Sequence, residues 1–153
     1  MRLLVCHPLP LRARVLFIRS NGVLFASEGS PEMTRRYVWA PVLESLLVPY
    51  PDVCVVFLRS EEEAQEPETL KGNLGRLGQR VIDVLTSDDR SIAETVRGWR
   101  EHHPEVMQMC LLTSAGGAVA DMADIVCDAA RGVSAIEVKS QLQGWLEVER
   151  MVA

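Results

Sequence analysis

VLFIRSNGVLF, residues 15–25, sets the frame for reading the rest of the chain. Val15, Leu16, Phe17 and Ile18 form a continuous apolar run that suits a buried strand, and Asn21-Gly22 suits a tight turn. Arg19, Ser20 and Asn21 stand between the two, where the strand hands over to the turn. A buried strand followed by a polar turn is the opening of an alternating α/β chain, and the residues downstream keep that rhythm.

Residues 37–48 predict a helix with Trp39, Val42, Leu43, Leu46 and Leu47 on one face, stopped by Pro49 and Pro51. VCVVFL, residues 53–58, is apolar throughout, as a strand covered on both sides requires. In residues 60–78 Ser60 and Glu63 fit a capping box, but Pro67, Gly72 and Gly75 weaken a single helix. Leu70, Leu74 and Leu77 mark a short amphipathic helix at its end, and Glu61–Glu63 read as a solvated first turn.

RVIDVL, residues 80–85, predicts a third strand. Ser91 with Glu94 makes a second capping box ahead of a helix carrying Ile92, Val96 and Trp99. VMQMCLLT (106–113) and ADIVCD (123–128) predict two more strands, separated by the small-residue turn SAGG and a short helix. The last helix has the clearest start signal: Ser134 and Glu137 form a capping box, Val133 staples against Val138, and Val138, Leu142, Trp145 and Leu146 form its stripe. The expected fold is a three-layer α/β/α, Rossmann-like domain with a mainly parallel, doubly wound sheet. No repeat or linker divides residues 1–153, and LLVCHPL within residues 1–14 suits an added edge strand or arm.

Sixteen basic against twenty-one acidic side chains give a net charge of −5, which argues against general nucleic-acid binding. A local cationic pocket remains compatible with that balance. Cys6, Cys54, Cys110 and Cys127 form no CxxC pair; the last three sit in apolar runs, so core packing is expected rather than metal or disulfide chemistry. The apolar stretch at the start is broken by His7, Pro8 and Pro10, and no segment approaches the roughly 20 apolar residues of a membrane span. A cytoplasmic protein without membrane contact is the expectation. His102-His103 suits a helix end, Met107 and Met109 a strand core, and Trp39, Trp99 and Trp145 buried helix faces.

In such sheets ligands bind outside the carboxyl ends of the strands. The loops after Ile18, after Leu58, near Thr86 and after Leu112 therefore converge on one mouth. Read together, VLFIRSNGVLF, YVWAPVLESLLVPYPDVCVVF, GRLGQRVIDVL and the final strand–helix pair resemble haloacid dehalogenase-like (HAD) hydrolases. They are most similar to a small subgroup without a large cap domain, described as RNA-repair-like. The resemblance runs from about residue 15 onward. It implies an aspartate nucleophile, a second aspartate as acid/base, a Ser or Thr after the second strand, a Lys or Arg, and acidic residues after the fourth strand. The first and last carboxylates would hold magnesium.

The matching positions carry other chemistry. Arg19 takes the nucleophile position, and a guanidinium forms no acyl-phosphate. Asn21, just before Gly22, takes the acid/base position and has no titrating proton to give. Arg59 and Ser60 follow the second strand, Ser60 matching the hydroxyl position only with a shift of register. Thr113 and Ser114 stand where the acidic pair is expected, and Arg90 retains a cation. The resemblance thus implies a pseudoenzyme with no cofactor. Its mouth, formed by Arg19, Ser20, Asn21, Gly22, Arg59, Ser60, Arg90, Thr113 and Ser114, is cationic and suits phosphate or another small anion without a metal. Arg19 in an internal ion pair with Asp88, Asp89 or Asp121 is the plainer alternative.

The leading functional expectation is a non-catalytic domain that binds a protein partner, oligomerises or responds to an anion. A magnesium-dependent phosphatase using Asp83, Asp88 or Asp89 is one alternative. A sensor of a phosphorylated metabolite is the other.

Overall fold

The computed structural model of the chain describes residues 14–19, 22–24, 37–59, 67–87, 91–106, 108–114, 122–128 and 130–152. Five parallel strands form its sheet: β1 (Arg14–Arg19), β2 (Val53–Arg59), β3 (Val81–Thr86), β4 (Gln108–Thr113) and β5 (Ala123–Val126). Their spatial order is β3-β2-β1-β4-β5, the doubly wound Rossmann-like order that the alternating elements predict. The described helices are α1 (Ala40–Leu47), α2 (Pro67–Asn73), α3 (Ile92–Glu101) and α4 (Ile136–Val152), with 3-10 turns at Gly75–Arg80 and Gly132–Ser134.

Strand β1 is the centre of the sheet, pairing with β2 through Leu16↔Val55 and with β4 through Leu16↔Cys110. All six of its residues are buried, because its side chains alternate between two covered faces. Leu16 and Ile18 join Val55, Phe57 and Leu112 in a core with Leu43 and Leu47 of α1 and Val138, Leu142 and Leu146 of α4. Val15 and Phe17 join Val56, Leu58 and Leu111 in a second core under Ile92, Val96 and Trp99 of α3. Fully burying each aliphatic side chain contributes about 1.5–3 kcal/mol, so each face is held by several such terms.

The helix stripes lie where the periodicity puts them, while the starts differ. Helix α1 begins at Ala40, beside Pro41, and Trp39 is its N-cap without a side-chain cap bond. Pro67 opens α2 as its first residue, and Gly75, with φ of 64°, ends it and leads into the 3-10 turn. Leu70, Leu74 and Leu77 are all buried across that break.

Neither of the two described capping boxes forms. Ser91 is the N-cap of α3, but its φ of −104° and ψ of 8° lie outside the extended region a capping serine uses. Ser134 is consumed by the second 3-10 turn, where its hydroxyl donates to the Arg131 carbonyl, and α4 starts two residues later. Gly132 forces that turn. Its φ is 52°, and a Cβ there would lie 2.4 Å from the Val23 carbonyl oxygen and 2.5 Å from the Trp39 ring. The Ser60–Glu63 box, the Glu61–Glu63 run, the SAGG helix and residues 1–13 lie outside the described residues.

The amino end of the sheet is tied by two arginines. Arg14, the first residue of β1 rather than part of a separate arm, is 1% exposed. Its Nε donates to Asp52 Oδ2 at 2.7 Å, its Nη1 to the Leu146 carbonyl at 2.8 Å, and its guanidinium lies 5.4 Å from the Trp145 ring. Arg80 donates to the carbonyls of Tyr50 and Val53 at 3.0 Å and of Leu47 at 2.7 Å, and to Glu44 at 3.2 Å. It thereby covers the carbonyl end of α1, where a cation also complements the helix dipole. Tyr50 donates its hydroxyl to Glu147, adding a third tie from the β1–β2 connection to α4. Among the described residues no helix is long and apolar enough to cross a membrane.

Replacing Arg14 by alanine is expected to destabilise the fold by about 3 kcal/mol, the low end for breaking a buried ion pair, because Asp52 is 38% exposed and can be hydrated. Arg14→Met, which keeps the bulk between Tyr50 and Trp145, is expected to lose less. Urea midpoints of the three proteins measure the difference, and an Arg14→Ala midpoint equal to that of the parent would rule the clamp out.

Candidate functional site

The carboxyl edge is built by register. Arg19 pairs with Leu58, Arg59 with Thr86, and Ile18 with Leu112, so Arg19, Arg59, Thr86 and Thr113 end four neighbouring strands at one level. The loop after β1 is fixed from two sides: Trp39 donates its amide to the Leu24 carbonyl, and Val133 donates to the Val23 carbonyl, both at 2.9 Å. Gly22 makes the turn expected of it, with φ of 79°, and Val23 and Leu24 are fully buried.

Arg19 belongs to β1 itself rather than to the loop after it, and it is 6% exposed. Its Nη1 donates to the Ser87 carbonyl at 2.5 Å. Ser87 follows β3, two strands away and roughly 9–10 Å across the sheet. The guanidinium thus reaches over the end of β2 toward β3, away from the crevice between β1 and β4. Arg59 follows Leu58 and so leaves the sheet on the face opposite Arg19, its Nε donating to Thr86 Oγ1 at 3.0 Å and its carbonyl accepting from the Ser87 amide at 3.0 Å.

The β4 side has a different character. Thr113 is fully buried, and its carbonyl accepts from the Cys127 amide at 2.7 Å. Ser114, the next residue, is half-buried. The structure therefore places Arg19, Arg59, Thr113 and Ser114 along one edge of the sheet, with Arg19 and Arg59 leaving it on opposite faces. Ser20, Asn21, Ser60 and Arg90 lie outside the described residues, as do Asp88, Asp89 and Asp121, proposed from sequence as ion-pair partners or rescuing carboxylates.

Asp83 is placed and lies away from the mouth. In the β2–β3 ladder Val55 pairs with Val81 but Val56 pairs with Asp83, so Ile82 is an extra residue in a bulge. The bulge turns Asp83 to the α3 face, where Oδ2 accepts from Trp99 Nε1 at 3.0 Å. It stands three residues before the end of the strand, 5% exposed. Its job there is to satisfy a buried indole, whose ring meets Phe17 edge-on at 5.4 Å and stacks on His103 at 3.7 Å. His102 and His103 each place Nδ1 2.8 Å from a carbonyl of the last turn of α3, the helix-end role expected of them.

No candidate nucleophile emerges from the described thiols. Burial pushes Cys110 up to about 12, with Asp124 and Cys127 adding to the shift, and burial alone pushes Cys127 to about 12. Burial also raises Cys54, partly opposed by Arg80. All three are free, buried and protonated, as small apolar groups. Among the described residues no group of three or more His, Cys, Asp or Glu side chains is placed to hold a metal ion.

Sequence reasoning missed Ser87, whose backbone touches both arginines. Its place after a strand was legible, but its burial and its contact with a residue 68 positions earlier were not. No family model, curated protein or solved structure matches the chain. The chemistry of the mouth is therefore read from its own geometry.

The raised thiols fix the sign of one pH effect. Their folded values lie above the ordinary 9.0, so the folded chain holds more protons at alkaline pH. Their contribution is present in full below about 9 and is expected to fall as pH rises from there toward about 12. In a Cys6→Ser background, a thiol reagent at pH 8 is expected to leave the native protein unlabelled and to label three thiols in urea. Rapid labelling without denaturant would contradict the placement.

Proposed function

We propose that this chain is a catalytically inactive, HAD-like binding domain whose mouth is a metal-independent receptor for a small oxyanion such as phosphate. The observation that carries the reading is the Arg19 guanidinium, buried at the carboxyl end of the central strand of a doubly wound sheet. That end is where such sheets take their ligands. In the family the chain resembles, the corresponding position supplies the nucleophilic carboxylate, and a guanidinium performs no such attack.

Several features support the same reading. Arg59 places a further cation at the same edge of the sheet, and Arg forks suit the oxygens of phosphate or carboxylate. Among the described residues of the mouth, Arg19, Gly22, Arg59, Thr86, Ser87, Thr113 and Ser114, none is a carboxylate. Asp83, the described carboxylate among the alternatives for a phosphatase, is engaged with Trp99. In a chain of net charge −5, a cation at the carboxyl edge of the sheet also draws an anion to one place rather than to the whole surface. The domain binds and positions the anion; it does not transfer its phosphoryl group.

Thermal unfolding with inorganic phosphate, with and without magnesium, tests this directly. At 100 times its dissociation constant the ligand adds about 2.7 kcal/mol, which moves the midpoint of a domain this size by roughly 5–10 °C. The expected shift is the same with magnesium or a chelator and is lost in Arg19→Ala, each variant being compared with its own ligand-free midpoint. A shift that requires magnesium, or one that survives intact in Arg19→Ala, would sink the proposal.

A further inference from the structure

Within the same mouth lies a buried hydroxyl that the fold leaves unused, that of Ser87. Ser87 is 5% exposed, and both of its backbone groups are engaged, the amide with the Arg59 carbonyl and the carbonyl with Arg19 Nη1. Its Oγ is buried and has no hydrogen-bond partner among the described residues. Buried hydroxyls are nearly always bonded, and one left unmatched is costly. The ordinary remedy is a bond to a nearby carbonyl, as Ser134 makes to Arg131. Ser87 does not adopt it.

The position of this hydroxyl is what gives its vacancy a direction. It belongs to the residue at the end of β3 whose carbonyl accepts from the Arg19 guanidinium and whose amide donates to the Arg59 backbone carbonyl. A hydroxyl there gives a neutral donor next to a charged one, a pairing that an oxyanion uses through one or two of its oxygens. Groups kept unsatisfied in the ligand-free fold are expected at functional sites, where the ligand supplies the missing bond.

We propose that Ser87 is the hydrogen-bond donor of this oxyanion site, its Oγ held in reserve for an oxygen of the ligand that Arg19 attracts. The inference rests on the anion-receptor reading and adds to it the group that fixes the ligand's orientation.

Ser87→Ala in the full chain tests the assignment, with inorganic phosphate as the probe and calorimetry and thermal unfolding as readouts. Removing an unmatched buried hydroxyl leaves a protein as stable or slightly more so. The ligand-free midpoint of Ser87→Ala is therefore expected to equal or exceed that of the parent, while phosphate affinity falls about 10-fold or more. A lowered ligand-free midpoint, or failure to fold, would mean that the hydroxyl has a structural partner and would overturn the assignment. Unchanged phosphate affinity in Ser87→Ala, with affinity lost in Arg19→Ala, overturns Ser87 alone and leaves the receptor reading standing. A parent protein that does not bind phosphate overturns both.

Discussion

A strand sealed on both faces has no route to water for a charge at either end, and β1 carries a guanidinium at each. Arg14 and Arg19 are both buried, and each must find acceptors within the protein. That requirement organises the two edges of the sheet. At the amino end it draws Asp52 from the β1–β2 connection and the Leu146 carbonyl from α4, 132 residues away, onto one side chain. At the carboxyl end it draws the Ser87 carbonyl across β2. The central strand thus fixes where the last helix docks and how the β3 end is held.

The two ends meet this need in different ways. Arg14 has a carboxylate, a carbonyl and two aromatic rings, an arrangement that neutralises and encloses the charge. Arg19 gives one of its bonds to a peptide carbonyl, that of Ser87 at the end of β3. Arg80 and Tyr50 reinforce the amino end with further bonds to α1, the β1–β2 connection and α4. These cross-links run between the β1–β2 connection, α1 and α4.

This division also explains what could be read from the sequence. Strands β1 and β2 announce themselves as unbroken apolar runs, and the stripes of α3 and α4 follow a 3.6-residue period, so the layers and the parallel sheet were legible. Residues that meet across long sequence separations were not. Nothing in RVIDVL marks the extra residue Ile82, yet that bulge takes Asp83 from the list of candidate carboxylates to a bond with Trp99. Ser91 and Ser134 carry the right residue spacing for capping boxes, but the backbone around them takes other conformations, one of them imposed by Gly132 against Val23 and Trp39. At the mouth, Arg19 was legible as an anomaly and its lean toward β3 was not, because a side chain's direction depends on what stands at the end of a strand two places away.

A scaffold braced at one edge tolerates changes of charge at the other. The bonds of Arg14 and Arg80 run through the β1–β2 connection, α1 and α4, so a replacement at position 19 leaves the clamp untouched. What such a replacement must still satisfy is local: acceptors for a buried cation and partners for the polar groups around it. The Ser87 carbonyl meets part of the first demand, while the Ser87 hydroxyl leaves the second open. A fold of this kind does not dictate an activity. The Ser87 hydroxyl is a buried group at the carboxyl edge without a hydrogen-bond partner among the described residues, and under the receptor reading proposed above it is the donor that an anion would complete.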